Sequence, residues 1–343
     1  TQLFIREHSS DDVRVLALQA KKYPDIDMPT AITQIAGRKV AAEKIPSWWE
    51  IEKIWYPKHL SLEQCSSEIT ARYKARLLQG DSLTDLTGGF GIDCSFLATG
   101  FKSTTYVERQ EELCEIAAHN FPVLNLNHIN IKNEDGVTYL QAMSPVDCLF
   151  LDPARRNEHG GKTVAISDCE PNVAELEELL LQKANRVMIK LSPMLDLSLA
   201  LKELKQTQEV HILSVNNECK ELLILLGQTS PTEISIHCVN LSTKGTQKEQ
   251  HFVFTREQEQ CSECTYTDSL ETYLYEPNAS LLKAGAFRSI AAAYPVRKLH
   301  PNSHLYTSDT FIENFPGRIF RIVNQCSFNK KEVKENLADL KKA

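Results

Sequence analysis

No stretch of the chain approaches the ~18 consecutive apolar residues of a membrane-spanning helix. Thr1 to Asp12 lack the basic start and apolar centre of a signal peptide. The expectation is a cytoplasmic protein with no membrane partner. Cysteine amounts to 10 of 343 residues, too sparse for a disulfide-stapled scaffold. Cys94, Cys148 and Cys238 fall inside apolar segments, where reduced, buried thiols belong. Zinc needs more than the single C-x-x-C pair of Cys261 and Cys264; His251 is near in sequence, but a second pair is missing, so no metal is expected. Internal repeats and low-complexity tracts are lacking too. What remains is ordinary, 42% apolar and 24% charged, which fits a globular chain of two or three domains.

The net charge of −7 excludes a surface that is basic throughout, yet it is unevenly distributed. Residues 281–343 hold 11 Lys and Arg against 5 Asp and Glu, a net of +6, and residues 1–280 a net of −13. Such asymmetry marks either a polyanion-binding end on an acidic body or a solvated basic helix.

Three regions follow from patterning. Residues 1–80 read as helical: Ser10, Asp11 and Asp12 can cap a helix through Val13, Leu16, Ala17 and Ala20, and Ser61–Gln64 has capping-box spacing that opens a helix to about Gln79. Residues 81–230 alternate strands and helices. The strands are expected at 82–85, 103–107, 129–131, 147–151, 186–191 and 210–215, with helices beginning near Ile92, Gln110, Pro171 and Asp196, which implies a parallel sheet covered on both faces. The segment 221–226 follows 210–215 so closely that it pairs with it antiparallel. Residues 231–343 form an α+β region with strands at 233–239, 250–254, 273–275 and 318–323 and helices at 279–294 and 330–342. The final strand and helix read as half a unit, as if a partner strand were still to come.

Asp85-Leu-Thr-Gly-Gly-Phe-Gly91 carries the most chemistry. It follows a strand and opens a helix, and its glycines allow a tight turn and close approach to a ligand. It is not the G-x-G-x-x-G of a dinucleotide site, because Thr87 takes the first glycine position and Phe90 separates the last two. Asp85 would repel a pyrophosphate and suits a cationic ligand. Glu108, about 20 residues further on, ends the next strand where an acid commonly holds a ribose diol, with Arg109 beside it. Asp135 follows the third strand, within reach of an adenine amino group. Asp152-Pro153-Ala-Arg155-Arg156 ends the fourth, facing the same crevice as Asp85.

These residues resemble class I S-adenosylmethionine (SAM)-dependent methyltransferases. More narrowly they resemble a bacterial family with an N-terminal helical segment, a Rossmann-like catalytic domain, and C-terminal ferredoxin-like and THUMP-like domains. The likeness rests on Glu63–Lys74, the glycine loop, Asp152–Arg156, Tyr275–Ser280 and Phe315–Arg318 together. It implies SAM contacts from Asp85, Thr87, Gly88, Gly89 and Gly91, ribose and adenine contacts from Glu108 and Asp135, and further contacts from Gln64, Ser67 and Lys74 beside the pocket. The THUMP-like part of the resemblance implies binding to structured RNA, with the chain ending about where that domain would begin.

Asp152-Pro153 is similar to the acid or amide and proline of exocyclic-amine methylases, which orient a target NH2. Arg155 stands where those enzymes stack an aromatic ring, and a guanidinium plane can also stack on a base. D-P-A-R is also similar to uracil-C5 methyltransferases, but these need a cysteine nucleophile after the fifth strand, and Ser192 stands there. Arg155, Arg156 and Lys162 are candidate substrate contacts, and Asn157–Lys162 with its Gly-Gly pair is a candidate lid. The expected function is methylation of a nucleobase nitrogen in RNA (tRNA or rRNA). The alternatives are a small-molecule or protein methyltransferase, or a non-catalytic RNA-binding protein that keeps the fold.

Overall fold

The computed structural model describes residues 1–155, 165–229, 231–244, 249–327 and 329–337. They divide into two compact units, one of Thr1–Val210 with Glu221–Thr232, the other of His211–Lys220 with the residues from Glu233 onward.

The first unit opens with six helices: α1 (Gln2–Glu7), α2 (Val13–Leu18), α3 (Met28–Lys44), α4 (Pro46–Trp49), α5 (His59–Gln64) and α6 (Glu68–Ala75). Asp12 and Asp27 cap α2 and α3 by accepting from the backbone N–H of Arg14 and Thr30. The single helix expected from Ser61 to Gln79 is two. Lys58, not Ser61, precedes α5, and the chain extends through Cys65 to Ser67 before α6 begins. The break has a cause: Ser66 is drawn into a buried cluster of charges that a continuous helix would turn away from.

Strands and helices then alternate: β1 (Ser82–Asp85), α7 (Ile92–Ala98), β2 (Ser103–Glu108), α8 (Glu111–Val123), β3 (Ile129–Asn133), α9 (Gly136–Ala142) and β4 (Val146–Leu151). A short antiparallel pair, β5 (Ala154–Arg155) and β6 (Cys169–Glu170), leaves the end of β4, and α10 (Val173–Lys183), β7 (Ala184–Leu191) and α11 (Leu197–Glu203) complete the series. β1 pairs parallel with β2 and β4, β2 with β3, and β4 with β7. The inner strands β4 and β7 end in unbroken buried runs, as strands covered on both faces must.

β8 (Thr207–Val215) and β9 (Glu218–Gly227) come next, and β9 pairs antiparallel with β7. The antiparallel partner of the 210–215 strand is thus also inserted beside the fifth parallel strand, giving the order β8-β9-β7-β4-β1-β2-β3. Nine strands share this sheet once β10 (Ser235–Leu241) and β11 (Glu249–Phe254) extend it from β8.

The second unit continues with α12 (Arg256–Cys261), β12 (Tyr273–Pro277), α13 (Ala279–Ala284), α14 (Arg288–Ala293), β13 (Arg297–Lys298), β14 (Tyr306–Ser308), β15 (Gly317–Arg321) and α15 (Lys330–Leu337). Four of these strands form an antiparallel sheet in the order β13-β14-β12-β15 around buried Tyr275, Tyr306 and Phe315. The helix expected over 279–294 is interrupted by Gly285, whose φ of +76° ends α13 in the left-handed region. All ten cysteines are free thiols. Among the described residues no helix is long and apolar enough to cross a membrane.

Candidate active site

The carboxyl ends of β1, β2 and β4 carry the site, all within the first unit. The glycine loop is shaped by what lies beneath it. A Cβ on Gly88 would fall 2.2 Å from the ring of Tyr106, so only glycine lets the backbone lie flat on that side chain. Gly89 and Gly91 have φ of +54° and +85°, and a Cβ on Gly89 would meet almost nothing, which leaves the outer face of the loop open. Phe90 does the opposite, packing edge-on against Trp48 with ring centroids 5.2 Å apart. The N-terminal helices thereby clamp the loop from behind.

Glu108 accepts from the Gly89 N–H at 2.9 Å with one oxygen and from Gln110 N–H at 2.8 Å with the other, tying the loop to the end of β2. Thr87 joins the loop to β4: its Oγ accepts from the Asp152 N–H at 2.6 Å, and its own N–H donates to Asp85 at 3.0 Å. These bonds link Asp85, Thr87 and Asp152 to one another and Glu108 to the glycine loop, with Pro153 next in the chain after Asp152. Asp135 lies at the end of β3, exposed, its Oδ1 capping α9 through the N–H groups of Val137 and Thr138 at 3.0 Å each.

Other expected contacts are placed differently. Lys74 is fully buried, not presented to a pocket. Its Nζ is 2.5 Å from Glu221, 2.9 Å from Asp93 and 2.8 Å from Ser66 Oγ. Arg109 is exposed and pairs with Glu170 at 3.1 Å. Gln64 is exposed at the end of α5, and Ser67 begins α6 with its Oγ 3.2 Å from Thr70 Oγ1. The backbone of Arg155 lies in β5; Arg156, Lys162 and the candidate lid lie outside the described residues.

Four residues that the motifs did not single out complete the cluster. Ser66 Oγ donates to Asp93 at 2.7 Å, and Lys190 on β7 donates to Asp152 Oδ2 while lying 3.6 Å from Asp93. Glu221 opens the buried run of β9. Three of them had a faint signal, since Lys190 and Glu221 interrupt or abut strongly apolar strands and Asp93 lies two residues past the glycine loop.

The electrostatics are lopsided toward the acids. Burial pushes the Asp85 carboxyl well above the usual range, and Asp93, Asp152 and Glu108 add repulsion. Burial also raises Asp152, against the opposing pull of Lys190. Asp93 stays below its ordinary value because Lys74, Lys190 and Ser66 together outweigh its burial. Five carboxyl groups (Asp85, Asp93, Glu108, Asp152 and Glu221) stand against two ammonium groups (Lys74 and Lys190). That surplus, beside an open glycine loop, fits a cation-bearing ligand, and SAM carries both an ammonium and a sulfonium. A polar cleft lined by Ser82, Asp147, Gln182, Asn185 and Gln228 lies at the opposite, amino ends of the strands, the wrong end for ligand binding in an open parallel sheet.

The strand order, the antiparallel β9 and the acid-flanked glycine loop define a class I methyltransferase fold with an N-terminal helical segment and a C-terminal α+β domain. The chain belongs to the family of a crystallographically determined "putative methyltransferase" from Porphyromonas gingivalis W83, with which it shares 34% identity over 98% of this chain and 84% of that one, at a TM-score of 0.85. Residues 273–316 match a family model described as a ferredoxin-like domain. Less similar structures include an rRNA methylase from Streptococcus thermophilus (14% identity, 46% of this chain and 93% of that, TM-score 0.34). Another is a Streptococcus mutans protein crystallised in complex with SAH (14% identity, 47% and 96%, TM-score 0.34). No curated protein matches the chain.

Proposed function

We propose that the protein is a cytoplasmic SAM-dependent methyltransferase that methylates a nucleobase nitrogen in RNA. The observation that carries this reading is the bond from the Asp152 N–H to Thr87 Oγ, because it fixes an Asp-Pro acceptor residue against a loop suited to SAM. Asp85 and the backbone of Thr87 to Gly91 would hold the cofactor's charged end, Glu108 the ribose hydroxyls and Asp135 the adenine. SAM supplies a methyl group already activated on sulfur, so proximity and orientation provide most of the rate.

The protein's own part is to aim the acceptor. The Asp152 carboxylate and the Pro153 carbonyl would accept from the target amine, pointing its lone pair at the methyl. Asp152, its carboxyl raised by burial, would take the proton that the methylated amine releases. A uracil-C5 mechanism lacks its nucleophile, since Ser192 occupies that place. The basic balance of residues 281–343 supports a polyanionic substrate.

Asp152→Ala is expected to abolish methyl transfer from labelled SAM into RNA taken from cells lacking the gene, while SAH binding by calorimetry stays largely intact. Equal loss of both would make Asp152 a cofactor residue. Transfer to a small molecule or a protein, with none to RNA, would select that rival activity, and failure to bind SAM or SAH would select a non-catalytic role. Mass spectrometry of modified nucleosides from cells with and without the gene would name the methylated atom.

A further inference from the structure

The buried charges next to Asp152 form a string of alternating sign. Asp152, Lys190, Asp93, Lys74 and Glu221 follow one another, and their side chains are 37, 10, 9, 0 and 6% exposed. They come from five different elements: the end of β4, then β7, α7, α6 and β9. Burying ion pairs rarely adds stability over apolar packing of the same volume, because desolvation offsets the attraction. Stability is therefore a poor reason for this string to end at the residue that faces the acceptor.

The chemistry at Asp152 supplies a better one. To orient an amine, its carboxylate must accept hydrogen bonds, and a protonated carboxyl would donate instead. The charged groups around it are Asp85 on β1, Asp93 and Lys74 behind it, and Lys190 in direct contact. Burial and the nearby acids drive it toward protonation, and Lys190 is the group that touches it and opposes them. Lys190 in turn remains a cation, since Asp152, Asp93 and Glu221 together outweigh its own burial.

We propose that Lys190 is a positioning residue for methyl transfer: its ammonium holds the Asp152 carboxylate ionised and in one orientation, and Asp93 holds that ammonium from the other side. This rests on the reading of Asp152 as the acceptor-orienting residue. It predicts a pH-dependent defect when the ammonium is removed, not a loss of cofactor binding.

The test uses the full chain with 13C-labelled aspartate carboxyls, the Asp152 signal being the one lost in Asp152→Asn. In Lys190→Met the Asp152 titration midpoint should rise by about one pH unit or more, a tenfold change in proton affinity. Lys190→Arg should return it close to the wild-type position, and the affinity for SAH should change by less than about threefold in both. In the methyl-transfer assay the acid limb of the Lys190→Met profile should move to higher pH by the same amount. An unmoved Asp152 midpoint in folded Lys190→Met overturns the proposal. If that variant does not fold, the 15N signal of the Lys190 ammonium in the otherwise intact protein decides, and a signal unmoved by Asp152→Asn overturns it. The carboxyl titration needs no acceptor. A shifted midpoint in a protein that transfers no methyl to RNA would therefore support the inference while the proposed activity fails, and an unshifted midpoint in an active enzyme does the reverse.

Discussion

Asp85 has 1% of its surface exposed and is held well above the ordinary carboxyl range, by burial first and then by Asp93, Asp152 and Glu108. An acid raised on folding keeps a proton that the unfolded chain sheds near its model value of 3.8. Without a ligand, Asp85 therefore withdraws stability as pH climbs above that value, and the loss is complete once pH passes the raised folded value. A ligand ammonium reverses the balance by favouring the ionised form, so binding must expel the proton. SAH, which carries the ammonium, is expected to bind with net proton release, and its apparent affinity should rise with pH until Asp85 is ionised in the free protein. Calorimetry in two buffers of different ionisation enthalpy measures this directly. Asp85→Asn should remove the pH dependence and weaken binding about tenfold, near 1.4 kcal/mol. The type of residue and its place were legible in the sequence. Its protonation was not, because that depends first on burial and then on three other acids converging from separate segments.

Elements differ in how clearly the sequence announces them. The parallel strands do so well, since a strand buried on both faces reads as a compact apolar run; β1 coincides with its expected bounds and the others differ by a few residues at the ends. Helices were legible where a cap or a glycine marked them, as at Ile92 and Asp196. In the segment 61–79 local capping chemistry favours one helix, while a tertiary demand for Ser66 beside Lys74, Asp93 and Glu221 breaks it in two. α9 has no such marker beyond Asp135, whose motif position suits a ligand contact and which also caps the helix. The same tertiary demand makes Lys74 the pin between α6 and β9. Lys74→Met leaves Glu221 buried without its ammonium and Asp93 with Lys190 alone, and removing one partner of such a cluster costs about 3–5 kcal/mol. Urea unfolding should show that loss in Lys74→Met. The double variant Lys74→Met/Glu221→Leu should recover part of it, because two apolar groups then replace the broken pair. A loss near zero in Lys74→Met would mean that the cluster contributes nothing to holding the helical segment.

For the whole molecule, net charge averages an acidic body with a basic end, and the second unit shows how much of that basic end is available. Lys298 is buried and donates to the carbonyls of His300 and Pro301 at 3.1 and 2.7 Å. Arg297 pairs with Glu271, and Arg318 pairs with Glu276 at 2.5 Å, two acids that fall outside the basic segment. The count of +6 therefore overstates the field that a polyanion would meet. Other exposed cations are Arg321 at the end of β15 and Lys330, Lys331 and Lys334 on α15. If these four take the phosphates, single-stranded RNA should bind with log K falling against log salt at a slope of about −3, from roughly 0.7 per phosphate contact. Replacing all four by alanine should flatten the slope to near zero and raise KM for RNA with little change in kcat, because none of them belongs to the β1–β4 site. Filter binding across a potassium chloride series, with methyl transfer measured in parallel, checks both. A slope twice as steep would require other surfaces of the molecule to contribute. A flat slope in the unaltered protein would remove the electrostatic support for RNA and favour a small-molecule or protein acceptor at the same Asp152.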